Sequence, residues 1–329
     1  MKKKNALITG GAGFIGSHLV EEMISRNYKV IVLDNLISGK LENLKNCRKK
    51  IKFFKKDIGE YKNISKYFKN VDVVFHLSAL ADIVPSIKNP ENYFNTNVKG
   101  TLNVLRGCVK NKVKKIIYAA SGSCYGIARE LPTSEKAEIK TEYPYALTKK
   151  LGEDLIVHWS KVYNLNFTSL RLFNVYGPRS RTSGAYGAMF GVFLAQKYFN
   201  KPLTIVGDGT QKRDFTYVSD VVSAFIKASS SRGSDNQIFN VGTGKAISVN
   251  YIAKLINQRK VHIPKRPGEP DITLANIKKI KNKLNWSPKI NINQGVKIML
   301  NNINYWRKAP VWNPTLIDKA TKDWFRYLK

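Results

Sequence analysis

The stretch Asn5-Ala-Leu-Ile-Thr-Gly-Gly-Ala-Gly-Phe-Ile-Gly-Ser-His-Leu-Val-Glu-Glu-Met-Ile24 decides the fold. Its opening is a short apolar run, its centre is a glycine cluster, and its second half carries apolar residues at helical spacing. Strand, tight turn and helix therefore follow in that order. Gly10, Gly11, Gly13 and Gly16 satisfy two overlapping patterns, GxxGxxG and GxGxxG. Such a turn lets backbone approach a pyrophosphate at the N-terminus of the following helix. The next apolar run, Tyr28-Lys-Val-Ile-Val-Leu-Asp34, ends in an acid. A carboxylate there can accept from the ribose diol of an adenosine and repels a 2′-phosphate, so NAD is expected over NADP.

Outward from this unit the alternation continues. Ile51–Phe54, Val71–His76, Lys115–Ala119 and Asn166–Leu172 read as strands, with helices over Asn92–Lys110 and Tyr145–Tyr163. Strands rich in Val and Ile that alternate with helices predict a parallel sheet covered on both faces. The expected fold is α/β, a doubly wound parallel Rossmann sheet over residues 1–173. Beyond Phe173 glycines and prolines punctuate shorter segments, with helices expected at Gly187–Tyr198, Ser219–Ser229, Ser248–Gln258, Asn276–Leu284 and Asn293–Arg307. Residues 174–329 are expected to form a smaller substrate-binding region over the carboxyl ends of the strands, with segments near 215–245 returning to the first domain. No internal repeat is visible.

The chain has 329 residues, 43% of them hydrophobic, enough to bury a core and to exclude disordered and low-complexity classes. Its 56 Lys and Arg against 23 Asp and Glu give a formal charge of +33. The lysines are spread along the whole length between apolar runs, which describes a solvated basic surface and not a nucleic-acid arm. No nucleic-acid partner is expected. Cys47, Cys108 and Cys124 have neither disulfide-framework nor zinc spacing, so no metal is expected and a reducing cytoplasm is the expected compartment. No run reaches the roughly eighteen apolar residues of a membrane span.

Tyr145-Ala-Leu-Thr-Lys149 puts a phenol and an ammonium on one helix face. A neighbouring cation stabilises a phenolate, and so does an oxidised nicotinamide, which makes this tyrosine a candidate acid/base. It lies close in sequence to Ser121-Gly-Ser-Cys-Tyr-Gly126, at the end of the fifth strand. Together with the glycine turn, Asp34, Asp57-Ile58, His76-Leu-Ser-Ala79, Asn97, Arg171-Leu-Phe-Asn-Val-Tyr-Gly-Pro-Arg179, Gly207-Asp-Gly-Thr-Gln-Lys-Arg-Asp214, Asn240-Val-Gly-Thr-Gly244 and Arg266-Pro-Gly-Glu269, these residues resemble the extended short-chain dehydrogenase/reductases that act on nucleotide sugars. The likeness is nearest to the UDP-glucose and UDP-N-acetylglucosamine 4-epimerases.

That resemblance implies roles position by position. Ser121, Tyr145 and Lys149 match the catalytic triad, with Ser121 on the sugar hydroxyl and Lys149 also on the nicotinamide ribose. Gly10, Gly13, Phe14, Ile15 and Gly16 would meet the cofactor phosphates, and Asp34 and Asn35 its ribose side. Asp57 and Ile58 match the pair beside adenine, while Leu77, Ala79 and Asn97 fall where the family lines the cofactor. Ser123 is expected in the sugar pocket. Asn174, Arg213 and Arg266 match contacts to the substrate diphosphate, where guanidinium forks suit phosphate oxygens, and Glu269 matches an acceptor for the nucleotide ribose. Thr273 falls where the epimerases gate the C2 substituent, and its small side chain predicts room for an acetamido group. His76, Arg171 and Arg179 are expected to support the fold or lie at its surface.

The residues after Ser121 separate reactions within this family. Sugar-nucleotide 4,6-dehydratases carry an acidic pair there, and this chain has Gly122 and Ser123. The same absence argues against the related decarboxylases. Cys124 is one residue beyond the position of the cysteine of a 3,5-epimerase, so it is expected to be a packed thiol. The expected activity is a nucleotide-sugar 4-epimerase on a UDP-hexose or UDP-N-acetylhexosamine, through a transient 4-ketosugar. A C4 dehydrogenase or 4-ketoreductase on the same triad is the alternative, with a basic nucleic-acid-binding protein on a Rossmann scaffold more distant. A homodimer is expected through the helices at Asn92–Lys110 and Tyr145–Tyr163, using Val98, Leu102, Leu105, Leu151, Leu155 and Val157.

Overall fold

The computed structural model describes residues 3–180, 189–257 and 259–328. Strands β1 (Asn5–Thr9), β2 (Lys29–Asp34), β3 (Ile51–Lys55), β4 (Val73–His76), β5 (Lys115–Ser121), β6 (Asn166–Leu172) and β7 (Gln237–Val241) build one sheet in the order β7-β6-β5-β4-β1-β2-β3. Every neighbouring pair is parallel. The order reverses between β1 and β4, and a crevice opens at that point beyond the carboxyl ends of the strands.

Side chains alternate between two cores, which is why the strands look continuously apolar in sequence. Ala6 and Ile8 of β1 and Phe75 of β4 point to one core, while Leu7 and Val74 point to the other. The first core is closed by α1 (Phe14–Ser25) through Leu19 and Met23 and by α6 (Val218–Ser230) through Val221 and Phe225. The second is closed by α3 (Gly100–Lys110) through Val104 and Leu105 and by α4 (Pro144–Tyr163) through Ile156. A short helix, α2 (Ile83–Lys88), follows β4.

A third core belongs to the C-terminal part. It packs α5 (Met189–Tyr198), α7 (Val249–Ile256) and α9 (Ile292–Asn301) around Phe193, Ile205, Ile252, Met299 and Trp306. The segments Leu203–Val206 and Lys260–Ile263 pair in parallel beneath it. Helices α8 (Lys278–Leu284) and α10 (Pro314–Tyr327) complete the chain.

Several expectations need correction. The helix expected over Asn92–Lys110 contains a π-helical turn, Phe94–Lys99, just before α3. The last expected helix stops at Asn301, where the chain tightens into a 3-10 turn, Ile303–Trp306. Helix α10 was not expected at all, although Asn313 accepts from the Leu316 N–H at 2.8 Å and Pro314 takes its first position. Val98 and Leu105 are 9% and 0% exposed and face the protein's own core, so neither can supply a dimer surface. The start of the helix expected at Gly187–Tyr198, most of the segment Arg179–Tyr186, and Gln258 lie outside the described residues.

Candidate active site

A cleft of about 590 Å³ runs along the carboxyl ends of β1, β2, β4, β5 and β6 and under the C-terminal part. One end is the glycine turn. Gly10 has φ +71, and a Cβ there would sit 2.7 Å from the Ser78 nitrogen. A Cβ on Gly16 would sit 2.1 Å from the Gly10 carbonyl oxygen, so the turn closes only with glycine at both places. Gly13 precedes α1 with no side-chain cap, and no acid occupies the first turn. The orphan N–H groups of α1 therefore meet the cleft, which fits a dinucleotide pyrophosphate.

Asp34 is 6% exposed and lines the cleft. Its carboxylate accepts from the Ala12 N–H at 2.9 Å and the Leu36 N–H at 2.8 Å. Burial pushes its carboxyl up, and those two N–H groups pull it back. It thus holds the turn as well as facing the crevice. Phe14, Ile15, Asn35, Ile58, Leu77 and Ala79 also line the cleft.

Asp57 and Asn97 each hold a neighbour that lines the cleft, Asn35 and Leu80. Asp57 is exposed and accepts from the Asn35 side chain at 2.8 Å and from the Gly59 N–H at 2.7 Å. Asn97 spends its amide on both backbone groups of Leu80, at 2.8 and 3.0 Å, and on the Thr148 hydroxyl at 3.0 Å. Asn97, buried in the π turn, shapes the wall from behind, a role that a short polar side chain leaves invisible in sequence.

The middle of the cleft holds Ser121, Tyr145 and Lys149. Ser121 ends β5, and its Oγ lies 2.7 Å from the Ser123 Oγ and accepts from the Ser123 N–H at 3.2 Å. Tyr145 enters on the first turn of α4, where its N–H donates to the Ser86 Oγ of α2 at 3.1 Å. Burial pushes its phenol up, and a hydrogen bond from Ser121 pulls it down. Lys149 is 4% exposed, with its Nζ 4.1 Å from the centre of the Tyr118 ring. Burial pushes it down to about 7, against the pull of Glu153. Each charge is costly alone in this buried setting, and a phenolate paired with an ammonium offsets both costs.

At the far end, Arg213 Nη2 donates to Glu269 Oε1 at 2.9 Å, and Arg266 Nη1 lies 3.9 Å from Glu269 Oε2. Both arginines are 8% exposed and line the cleft. Glu269 is thus committed to two guanidinium groups, which the resemblance alone does not indicate. Thr273 donates its hydroxyl to Asn174 Oδ1 at 3.1 Å, fixing two expected substrate residues against each other.

His76 and Arg171 support the fold. The His76 ring bonds the Thr9 and Thr101 hydroxyls at 2.7 and 2.9 Å, and burial holds it down to about 3, so it is neutral near pH 7. Arg179 differs from expectation. It lines the cleft, one of its terminal nitrogens binds Glu21 at 2.7 Å, and the other is buried without a hydrogen-bond partner. Sequence reasoning also missed Asp82 and Tyr143, which line the cleft beside Tyr145. The ring of Tyr143 stacks on that of Tyr145 at 6.3 Å between centres.

The sheet order and the phosphate turn define a dinucleotide-binding Rossmann protein. The chain belongs to the NAD dependent epimerase/dehydratase family, whose model matches residues 6–242, and its cofactor is NAD. It is 38% identical over 303 residues to a putative UDP-glucose 4-epimerase of Methanocaldococcus jannaschii, covering 90% of this chain and 97% of that protein. It is 33% identical to a UDP-N-acetyl-alpha-D-glucosaminuronate decarboxylase of Bacillus cytotoxicus, covering 90% of this chain and 96% of that protein. The crystal structure of UDP-glucose 4-epimerase from Thermotoga maritima, with UDP-glucose, superposes with a TM-score of 0.85 at 35% identity, over 92% of this chain and 99% of that one.

Proposed function

We propose that this protein is an NAD-dependent 4-epimerase of a UDP-hexose or UDP-N-acetylhexosamine. The observation that carries the choice among the family's reactions is the packing after Ser121. A Cβ on Gly122 would meet the Phe173 ring at 2.9 Å, and the Ser123 hydroxyl is bonded to Ser121, so that position 122 has no room for the carboxylate an elimination would use. What remains is a phenol, two hydroxyls and an ammonium, sufficient to move one proton at one sugar hydroxyl.

In this reading Ser121 hydrogen-bonds the C4 hydroxyl and Tyr145 takes its proton, returning it after the sugar has turned. Lys149 stabilises the phenolate and holds the nicotinamide ribose. NAD, when bound, supplies the hydride acceptor and donor for C4. Asn174, Arg213 and Arg266 hold the diphosphate while the sugar turns, with Glu269 keeping the two guanidinium groups in place. Residues 1–173 carry the cofactor and 174–329 mainly the substrate, and the 215–245 region contributes β7 to the sheet.

A panel of UDP-, GDP-, CDP- and dTDP-sugars with NMR detection of products tests the proposal. The epimerase converts its substrate with no net change at about 340 nm, the nicotinamide band, whereas a dehydrogenase or ketoreductase changes it in proportion to product.

Two residues give narrower tests. Asp34→Ala is expected to narrow the preference for NAD over NADP, measured by titrating apo protein with each, because the carboxylate no longer repels the extra phosphate. An unchanged preference would remove Asp34 from that role. Thr273→Tyr is expected to lower kcat/KM for UDP-N-acetylglucosamine relative to UDP-glucose by about 1 to 3 kcal/mol, since a ring would fill the space that the acetamido group needs. A ratio that does not move in the tyrosine variant excludes Thr273 as the gate.

A further inference from the structure

Tyr143 stands between the catalytic end and the diphosphate end of the cleft, and its place follows from the proline after it. A residue that precedes proline is held extended, and Tyr143 has φ −151 and ψ 161 where α4 begins. Its side chain does not cap the helix. It lines the cleft, half-buried, with its ring 6.3 Å from that of Tyr145 and 7° from parallel to it. Ser123, whose Oγ lies 2.7 Å from that of Ser121, hydrogen-bonds the Tyr143 phenol, and the charges of Glu269 and Arg213 act on the same phenol. Trp324 of α10 ties the two ends together. Its ring lies 6.1 Å from the Tyr143 ring, and its Nε1 donates at 2.7 Å to the carbonyl of Pro267, in the turn that carries Arg266 and Glu269.

In the epimerase reading a hexose spans this same interval. Its C4 hydroxyl meets Ser121 and Tyr145, and its C1 end leads to the diphosphate at Arg213 and Arg266, so that the ring between them passes Tyr143. Burial pushes the Tyr143 phenol up, the Tyr145 charge adds to that push, and Ser123 pulls it back in part. The phenol therefore keeps its proton near pH 7. A protonated hydroxyl has one donor and two acceptor sites, so one bond with Ser123 leaves capacity for a sugar hydroxyl. A group that can give or take a hydrogen bond can follow the sugar as it turns, because different ring hydroxyls face it in the two orientations.

We infer that Tyr143 is a sugar-binding residue whose hydroxyl holds the hexose ring between C4 and the diphosphate in both orientations that epimerisation needs. The inference rests on the epimerase reading for the direction in which the sugar lies.

The test uses the NAD-loaded protein with UDP-glucose and UDP as ligands, reading binding by calorimetry and 4-epimerisation by NMR. Tyr143→Phe keeps the ring that stacks on Tyr145 and removes the hydroxyl alone. It is expected to weaken UDP-glucose binding about 3- to 10-fold, the range of one neutral hydrogen bond, and to leave UDP binding unchanged. The kcat/KM for UDP-glucose should fall by about the same factor or more. Tyr143→Leu removes the hydroxyl in another shape and should show the same selective loss, whereas a merely structural role would weaken both ligands together. Equal weakening of UDP and UDP-glucose, an affinity for UDP-glucose that neither variant changes, or variants that bind neither ligand overturns the inference. Should wild type bind UDP-glucose without epimerising it, the epimerase reading fails, while the selective loss in Tyr143→Phe still decides the role of Tyr143. If wild type does not bind UDP-glucose at all, both fail.

Discussion

Tyr145→Phe is expected to lower kcat by about 10²- to 10⁴-fold, the range of a lost general acid/base, while the purified protein keeps its NAD. The ring that stacks on Tyr143 is retained in the variant, and the proton-transfer group next to the Ser121–Ser123 hydroxyl pair is lost. In the wild type, burial raises the phenol's affinity for its proton. The phenolate fraction therefore grows with pH, and the rate should climb as pH rises before the phenol is fully ionised. Progress curves on wild type and variant, with the NAD content of each preparation, check the prediction. Turnover in the phenylalanine protein equal to wild type would exclude the triad.

Glu153→Ala is expected to cost about 3–5 kcal/mol of stability, because it leaves the Arg171 guanidinium buried without its counter-ion. Arg171 and Glu153 are 4% and 1% exposed. The guanidinium donates to Glu153 through Nε at 3.1 and 3.2 Å and through Nη2 at 2.6 Å. Glu153 also accepts from the Ser169 hydroxyl at 2.7 Å, and Arg171 Nη1 donates to the Tyr125 hydroxyl at 2.7 Å. Tyr125 in turn donates to Asn240 of β7, so one buried network joins the triad helix to β6 and β7. Urea denaturation measures the loss, and a change below about 1 kcal/mol would contradict it. Replacing both partners, as Glu153→Leu with Arg171→Met, should recover part of the loss, since an apolar pair leaves no unpaired charge.

The strands were legible because a parallel sheet buried on both faces turns each strand into a Val- and Ile-rich run, and the phosphate turn because only glycine closes it. That Tyr145 and Lys149 share a helix face was legible from their spacing of four residues. What escaped has physical reasons. The π turn at Phe94–Lys99 keeps apolar spacing that an α-helix would also satisfy. Helix α10 is amphipathic but mostly polar, and its clearest signal was the Asn313-Pro314 start and not its hydrophobicity. Asp82 and Tyr143 belong to no motif, because their place on the cleft wall comes from where α2 meets α4, a contact made in space between segments far apart in sequence. Arg179 lines the cleft at a point that sequence alone does not indicate.

In the proposed reaction C4 gives up a hydride and takes the same hydride back, with Tyr145 moving only the hydroxyl proton. UDP-glucose carrying deuterium at C4, incubated with the protein in ordinary water, tests it most directly. The expected result is conversion to the C4 epimer with the deuterium still at C4, seen as a missing C4 proton signal in the product's NMR spectrum. Epimer with ordinary hydrogen at C4 would mean that the atom left to solvent, and an accumulating ketosugar with reduced nicotinamide would mean that the hydride never returned; either result rules out a 4-epimerase that returns its own hydride.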